Sequence, residues 1–293
     1  MENFVEQYAL CLQTEKMSDN TVKAYRTDLG KLCGYLAEQG LYDVARITFT
    51  DLNSYILSLE RTGSSPATVS RNVSVVKSFF NWLFYMRIIN DNPARKLKAP
   101  KTVRPVPRTI TVGEMDMLLS TPDMHTVKGI RDKAMLELMY ATGMRVGEVI
   151  MLKAGDVNAG IGTVTLRDGE KQRTLMFGEH ASEALKLYMR QSRPKLADGK
   201  DSGFLFLNMT GNPMTRQGFW KIIKQYGEAA GLGDRLTPHT FRHSFAAHMI
   251  QNGADMRTVQ EMLGYSDISA TQVYAAFADR QTASVYRQAH PRK

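Results

Sequence analysis

Apolar residues recur at helical spacing through the first third of the chain. Four apolar stripes span residues 4–12, 22–36, 52–59 and 66–84. Ser18 or Asp19 can cap the second stripe, Gly63 stops the third, and Pro66 suits the first turn of the fourth. The pattern predicts a small bundle of four main helices. None of the four carries a set of side chains typical of catalysis.

Helix and strand signals alternate in the rest of the chain. Thr111 can cap a helix over Met115–Leu119. Polar and apolar residues alternate over 162–177 around the pair Asp168-Gly169, which predicts a β-hairpin. Further helices are predicted over residues 130–141, 181–191, 216–230, 238–251, 256–263 and 268–278. We therefore expect a mainly α protein with a small antiparallel β-sheet.

A proline-rich stretch separates these two parts. Pro100, Pro105 and Pro107 fall within eight residues, and so many prolines cannot lie inside a helix. The composition favours an extended linker, with an ordinary surface loop as the alternative. We expect a helical domain over residues 1–99, a linker over 100–109 and a second domain over 110–293.

Positive charge is concentrated in the same stretch. The 293 residues include 38 Lys and Arg against 29 Asp and Glu, a net charge of +9. Residues 100–109 carry Lys101, Arg104 and Arg108 with no acidic residue, which is a third of that excess. A basic extended segment between two domains favours a polyanionic partner, because it can follow a phosphate backbone.

Several classes of protein are disfavoured. Hydrophobic residues make up 43% of the chain, which excludes a wholly disordered protein. No apolar stretch approaches the roughly 20 residues of a membrane helix, and the first residues lack the basic start of a secretory signal. Cys11 and Cys33 are too few for a disulfide framework or a structural zinc site. We expect a cytoplasmic protein that contacts no membrane.

The segment Thr237-Pro-His-Thr-Phe-Arg-His is the first candidate for chemistry. Thr237 suits an N-cap and Pro238 the first helical position. His239 and Arg242 then lie about 60° apart on one helix face, with His243 beside them. A histidine and an arginine at a helix N-terminus suit a phosphate, because donors and the helix dipole converge there. A solvated polar first turn is the alternative.

Two other segments gain meaning only in combination. A predicted buried helix ends at Gly143, and Arg145 follows, which alone is typical of an exposed arginine after a helix end. Tyr274 lies between Val273 and Phe277 in the last predicted helix, where a core or surface tyrosine is the ordinary interpretation.

Together the motifs follow one order. The chain reads Tyr-Ala-Thr-Gly-x-Arg, a basic hairpin, Leu-Thr-Pro-His-Thr-Phe-Arg-His-Ser-Phe-Ala-x-His, Leu-Gly-x-Ser-Asp, and a tyrosine nine residues past that x. This order resembles the tyrosine recombinase (phage integrase) family, and within it the two-domain Xer-like enzymes. The resemblance covers essentially the whole chain. It implies an all-helical SAM-like core-binding domain, then an α+β tyrosine recombinase catalytic domain, in a site-specific DNA recombinase.

The resemblance also implies a role for each motif residue. Arg145 and Arg242 match the two arginines that hold the scissile phosphate, and His239 matches the histidine that assists proton transfer. Tyr274 matches the nucleophile, which forms a 3′-phosphotyrosyl link and frees a 5′-hydroxyl. Because that link stores the phosphodiester energy, no ATP, metal or other cofactor is expected.

Two positions depart from the family pattern. Tyr265 stands where most relatives have histidine, and a phenol can donate a hydrogen bond but cannot carry positive charge. Relatives often place a lysine in a Gly-Lys-Gly hairpin turn, whereas Asp168 falls at that point here. Lys171 is the nearest lysine and would be the general acid for the leaving 5′-oxygen. The alternative is that Lys171 is a solvated hairpin lysine and that this role is lost.

Double-stranded DNA is the implied partner. We expect DNA contacts from the linker cations and from two further residues of the second domain: Lys101, Arg104, Arg108, Arg173 and His243. The basic C-terminal tail would pack into a neighbouring protomer, giving a homotetramer, or a heterotetramer with a related recombinase, on two DNA sites. A frayed tail is the alternative.

Three functions fit these features. The first is a recombinase, for chromosome-dimer resolution or for integration and excision of a mobile element. The second is a catalytically silent, sequence-specific DNA-binding protein on the same scaffold, which the changes at Tyr265 and the hairpin lysine make possible. The third is a DNA-relaxing topoisomerase, which has no support beyond the shared tyrosine chemistry.

Overall fold

The chain folds as two units, Met1–Arg104 and Pro105–Lys293. The computed structural model describes residues 1–100, 107–168, 171–200, 202–265 and 272–274. The side chains of Asp168, Lys171 and Gln272 are outside this description. The linker over residues 100–109 lies mostly outside the described residues, so its extended conformation and the proposed domain limits stay predictions.

Four α-helices build the described part of the first unit, as predicted. They are α1 (Glu2–Thr14), α2 (Asp19–Glu38), α3 (Phe49–Arg61) and α4 (Pro66–Tyr85). The Ser18 hydroxyl caps α2 by accepting from the Thr21 N–H, and Ser65 caps α4 in the same way just before Pro66. Each helix turns its apolar stripe inward, and the shared core includes Tyr55, Phe79 and Phe80.

A charged pair is partly buried in this bundle. Asp28 on α2 is 1% exposed, and its Oδ1 accepts a hydrogen bond of 2.9 Å from Nη2 of Arg71 on α4. Its Oδ2 is buried without a partner among the described residues. Burial raises the pKa of Asp28 above its ordinary range, and the charges of Arg71 and Lys31 oppose that rise.

Helices dominate the second unit around one small sheet. The helices are α5 (Val112–Ser120), α6 (Val127–Thr142), α7 (Val146–Met151), α8 (Glu179–Leu187), α9 (Arg193–Ala197), α10 (Arg216–Ala229), α11 (Pro238–Gln251) and α12 (Met256–Leu263). The strands are β1 (Val157–Asn158), β2 (Thr163–Asp168) and β3 (Lys171–Met176), antiparallel in the order β1-β2-β3. Within the described residues, no helix combines the length and apolar character needed to cross a membrane.

The predicted hairpin forms, but Asp168 is the last residue of its first strand and not a turn residue. Strand β2 pairs with β3 from Thr163 opposite Met176 to Asp168 opposite Lys171. Residues 169 and 170 lie outside the described residues. Strand β1 was not predicted, because two residues are too few to show an alternating pattern.

The last predicted helix, over residues 268–278, is described only at Gln272–Tyr274. These three residues form a 3₁₀ turn, so the prediction of an α-helix is wrong there, and the rest of it lies outside the described residues. Apolar spacing over so few residues does not distinguish the two kinds of turn. The turn places Tyr274 in a small apolar core with Phe245 and Leu263.

Two helices end at left-handed glycines beside α11. Gly143 ends α6 with φ 62°, and Gly264 ends α12 with φ 65°. A Cβ atom on Gly143 would lie 2.3 Å from the Phe245 ring of α11, so no larger residue fits there without movement. This packing brings the carboxyl ends of α6 and α12 to the N-terminal half of α11.

Candidate active site

Arg242 is the buried centre of the site. Thr237 caps α11 by accepting from the Thr240 N–H, and the first turn then sets Arg242 with only 4% exposure. Its Nη1 donates to the Gly143 carbonyl at 2.8 Å, and its Nη2 donates to the Leu263 carbonyl at 2.6 Å. One guanidinium therefore joins the ends of α6 and α12 to α11. Burial lowers the pKa of Arg242, and its hydrogen bond with Tyr265 opposes that change.

Tyr265 lies between the two motif arginines. Its hydroxyl accepts a hydrogen bond of 3.2 Å from Nε of Arg242. The Cζ atoms of Arg242 and Arg145 lie 4.7 Å and 5.6 Å from the centre of the Tyr265 ring. These distances are within the range of cation–π attraction. The residue that replaces the family histidine thus contacts both predicted phosphate-binding arginines.

Glu148 positions both Arg145 and Arg173, and the sequence did not identify it as a site residue. Its Oε2 accepts from the backbone N–H of Arg145 at 2.7 Å, at the start of α7. Its Oε1 accepts from Nη1 of Arg145 at 3.3 Å and from Nη2 of Arg173 on β3 at 2.7 Å. The available signal was an acidic residue three positions after Arg145, the spacing of a capping box.

Arg173 packs against the end of α12. A Cβ atom on Gly264 would lie 2.6 Å from Nη1 of Arg173, so the missing side chain makes room for the guanidinium. Nε of Arg173 is buried and has no hydrogen-bond partner within the described part of the chain. The predicted DNA contact therefore lies at the site itself, next to Arg145.

Tyr274 is fully buried beside α11. Its hydroxyl lies 2.5 Å from Nδ1 of His243, and it also makes a hydrogen bond with Tyr265. Burial raises the pKa of Tyr274 well above the ordinary value for a phenol; Tyr265 adds to the rise, and the charge of Arg242 opposes it. The phenol is therefore protonated in this arrangement.

The two histidines of the first turns of α11 have different surroundings. His239 is exposed, whereas His243 is half-buried, and their ring centres are 6.4 Å apart. Burial, and then the charges of His239 and Arg242, lower the pKa of His243. Sequence reasoning placed His243 only as a DNA contact and did not foresee its contact with Tyr274, which joins residues 31 positions apart.

The remaining predicted residues are only partly described. Arg108 is exposed, and Lys101 and Arg104 lie outside the described residues. The backbone of Lys171 pairs with Asp168 at the end of the hairpin, but its side chain is not described. Among the described side chains, no three His, Cys, Asp or Glu groups lie close enough to hold a metal ion.

A buried phenol, the imidazole of His243 and three guanidinium groups thus converge at the ends of α6 and α12, while His239 stands exposed beside His243. Such cations can hold a phosphodiester, and a phenol beside them is a potential nucleophile toward its phosphorus. The fold and the site together define a protein with a helical domain followed by a phosphoryl-transfer domain.

Comparison with known proteins identifies the family. Residues 108–281 match the phage integrase family, and residues 5–85 match the phage integrase N-terminal SAM-like domain. The chain belongs to the phage integrase family, and it is a DNA breaking-and-rejoining enzyme. Both the resemblance and the fold class inferred from the sequence are confirmed.

The similarity extends over whole chains. Tyrosine recombinase XerD of Staphylococcus haemolyticus is 41% identical over 294 residues, with 100% of each chain covered. Tyrosine recombinase XerD of Listeria innocua is 38% identical over 296 residues, again with full coverage. In structure, the XerH site-specific recombinase in a pre-cleavage complex with its difH substrate gives a TM-score of 0.72 at 21% identity. That match covers 98% of this chain and 84% of XerH, and it supports the fold.

Proposed function

We propose that this chain is a site-specific recombinase that cuts and rejoins double-stranded DNA through a 3′-phosphotyrosyl intermediate on Tyr274. The observation that carries this function is the contact of the Tyr274 phenol with His243 and Tyr265, next to the buried guanidinium of Arg242. A silent DNA-binding protein would gain nothing from a nucleophile held in this network.

Arg242 and Arg145 are proposed to bind the scissile phosphate. A guanidinium has five N–H donors, and the hydrogen bonds of Arg242 to Gly143, Leu263 and Tyr265 use three of them. One N–H on each terminal nitrogen is left for the nonbridging oxygens. Both cations would stabilise the charge that grows in the pentavalent transition state.

The leaving 5′-oxygen needs a proton, and two residues are candidates to assist. His239 stands exposed in the first turn of α11, where it can meet bound DNA. Lys171 stands at the start of β3 and is proposed as the general acid. Neither role requires a metal or a nucleotide, because the phosphotyrosine keeps the energy of the broken phosphodiester.

The DNA is proposed to run along the basic linker and the second unit. Lys101, Arg104 and Arg108 would contact phosphates outside the cleavage point, and Arg173 and His243 would lie at it. We propose a homotetramer, or a heterotetramer with a related recombinase, on two DNA sites in the cytoplasm. Full-length similarity to XerD recombinases fits chromosome-dimer resolution better than integration of a mobile element.

A nicked suicide substrate tests the function directly. Loss of the short 5′-fragment prevents rejoining, so a covalent protein–DNA adduct should accumulate on a denaturing gel. Tyr274→Phe should abolish the adduct and leave DNA affinity nearly unchanged, because it removes one oxygen and no cation. Tyr85→Phe, which changes an exposed tyrosine of the first unit, is the matched control and should form the adduct normally.

Two results would contradict the proposal. An adduct that persists in Tyr274→Phe would exclude this residue as the nucleophile and make Tyr265 the next candidate. No adduct from the wild type on its verified site would favour a silent DNA-binding protein. A chelator should leave the yield of adduct unchanged, since arginines are proposed to handle the charge of the phosphate.

A further inference from the structure

Helix α11 holds the residue that follows the predicted linker on the face opposite its site residues. At about 100° per residue, Ser244 and His248 lie about 140–180° around the helix from His239. Both are buried, and both bond to the main chain of Ile110. We propose that this anchor lets DNA held by the linker position α11, and with it Arg242. The inference rests on the proposed function, because it concerns the same bound DNA.

Both backbone groups of Ile110 take part in the anchor. Its N–H donates to the Ser244 hydroxyl at 3.0 Å, and its carbonyl accepts from Nε2 of His248 at 2.9 Å. Burial lowers the pKa of His248, so the imidazole is neutral near pH 7. Because a carbonyl only accepts, Nε2 carries the proton, and Nδ1 accepts from the Tyr140 hydroxyl at 2.9 Å. Ile110 is itself 1% exposed, so packing in the core of the second unit adds to these bonds.

A second connection joins the next residue to the start of α11. Thr111 caps α5, and its N–H donates to Oε2 of Glu114 at 2.7 Å. Oε1 of Glu114 accepts from Nη1 of Arg235 at 2.8 Å. The Arg235 carbonyl in turn accepts from the hydroxyl of Thr240, in the first turn of α11. The chain that follows the linker is therefore tied to the first turn of α11 as well as to its middle.

The anchor lies close to a linker cation. Arg108 is exposed and comes two residues before Ile110, so their Cα atoms are at most about 7 Å apart. Pro107 fixes one backbone angle just before Arg108, and only Thr109 separates Arg108 from the anchor. A phosphate held by Arg108 therefore restrains the position of Ile110.

Opposite faces of α11 thus serve the linker and the site. Arg242 lies about 120–160° around the helix from the two anchor residues, and its guanidinium joins the ends of α6 and α12 to α11. Arg242 and His248 are less than two turns apart, and so short a piece of helix moves as one body. Part of the energy of phosphate binding by the linker is then used in the transition state, because it holds Arg242 in place. Linker cations should therefore increase the cleavage rate as well as the affinity for DNA.

A double-mutant cycle measures this coupling. With the anchor intact, Arg108→Ala should weaken affinity and also slow single-turnover cleavage of the suicide substrate at saturating DNA. The expected slowing is about fivefold, the lower end of coupling between sites. His248→Asn places an amide near Nδ1 but leaves the Ile110 carbonyl without its donor. In that background, Arg108→Ala should still weaken affinity but should no longer change the cleavage rate.

Two other histidine variants separate the anchor from general stability. His248→Gln places an amide N–H near Nε2, where it can donate to Ile110, so the fivefold effect of Arg108→Ala should return. Lost stability alone would not give this pattern, because it slows cleavage equally with and without Arg108. His125→Asn, at an exposed histidine before α6, is the matched control and should keep the full effect.

Two inserted glycines test the connection without changing any side chain. Between Arg108 and Thr109 they lengthen the chain by up to about 7 Å and leave the anchor in place. Thermal stability should be unchanged, and Arg108→Ala should no longer slow cleavage. Should His248→Asn fail to fold, this insertion decides alone.

Two results would overturn the inference. Fivefold slowing by Arg108→Ala that persists in His248→Asn or in the glycine insertion would show that the anchor is only structural. No slowing by Arg108→Ala in the otherwise unchanged protein would show that the linker acts on affinity alone. Formation of the wild-type adduct through Tyr274 would still establish the proposed function in either case, so the two failures are distinguishable.

Discussion

Replacing Arg242 by lysine should damage the fold as well as the chemistry. The guanidinium holds two buried carbonyls and one hydroxyl on separate segments, and a single ammonium can retain one of them. Two acceptors then lose their donor, at about 1–3 kcal/mol for each buried group left unpaired. We expect the free energy of unfolding of the second unit to fall by about 2–6 kcal/mol, a large part of a total of about 5–15 kcal/mol.

Urea denaturation can isolate this effect. The chain has two tryptophans, Trp82 in the first unit and Trp220 in the second, so Trp82→Phe leaves a reporter of the second unit alone. In that chain Arg242→Lys should lower the midpoint. Arg257→Lys is the matched control, because the Arg257 side chain is 84% exposed and pairs at 3.4 Å with Glu261, which is also mostly exposed. A loss below about 0.5 kcal/mol for Arg242→Lys would refute the reasoning.

Three further outcomes are expected. Tyr265→Phe should slow single-turnover cleavage about tenfold, since it leaves a buried guanidinium N–H unpaired, whereas Tyr265→His should preserve or increase it; equal rates for phenylalanine and wild type would show that the hydroxyl has no role. Because its pKa is raised, folding favours the protonated form of Asp28, and thermal stability should fall as pH rises through that pKa. Asp28→Asn should flatten this dependence. An unaltered pH dependence in the variant would contradict the burial argument. The triple variant Lys101→Ala, Arg104→Ala and Arg108→Ala should weaken DNA affinity across sequences. It should also reduce the slope of log affinity against log salt by up to about 3. An unchanged slope would show that the linker does not follow phosphates.

Local signals account for most of the fold that was predictable. A capping hydroxyl and a terminating glycine act within one turn of the residues they affect, so Thr237 and Gly143 mark helix limits that the structure reproduces. Strand β1 could not be predicted, because it is defined only by its pairing with β2. The 3₁₀ turn at Gln272–Tyr274 differs from the predicted α-helix, because three residues are too few for apolar spacing to distinguish the two kinds of turn.

The site was predictable as a set of motifs but not as an arrangement. Arg145, Arg242 and Tyr274 belong to family motifs that the sequence displays. The contact of Tyr274 with His243 depends on how a later turn packs on α11, and the sequence carries no local trace of that packing. The burial of Arg242 was hidden for a related reason, because its principal acceptors are backbone carbonyls.

Because the acceptors of Arg242 are backbone carbonyls, they determine which positions of the site tolerate substitution. Every residue type offers the same carbonyl, so side-chain changes at residue 263 that keep the packing leave the anchor of the guanidinium in place. The positions most sensitive to substitution are instead Gly143 and Gly264, whose left-handed conformations end the two helices and orient those carbonyls. The precision of the site is thus encoded in two residues without side chains, and a mutational scan should find them as intolerant as the residues that perform the chemistry.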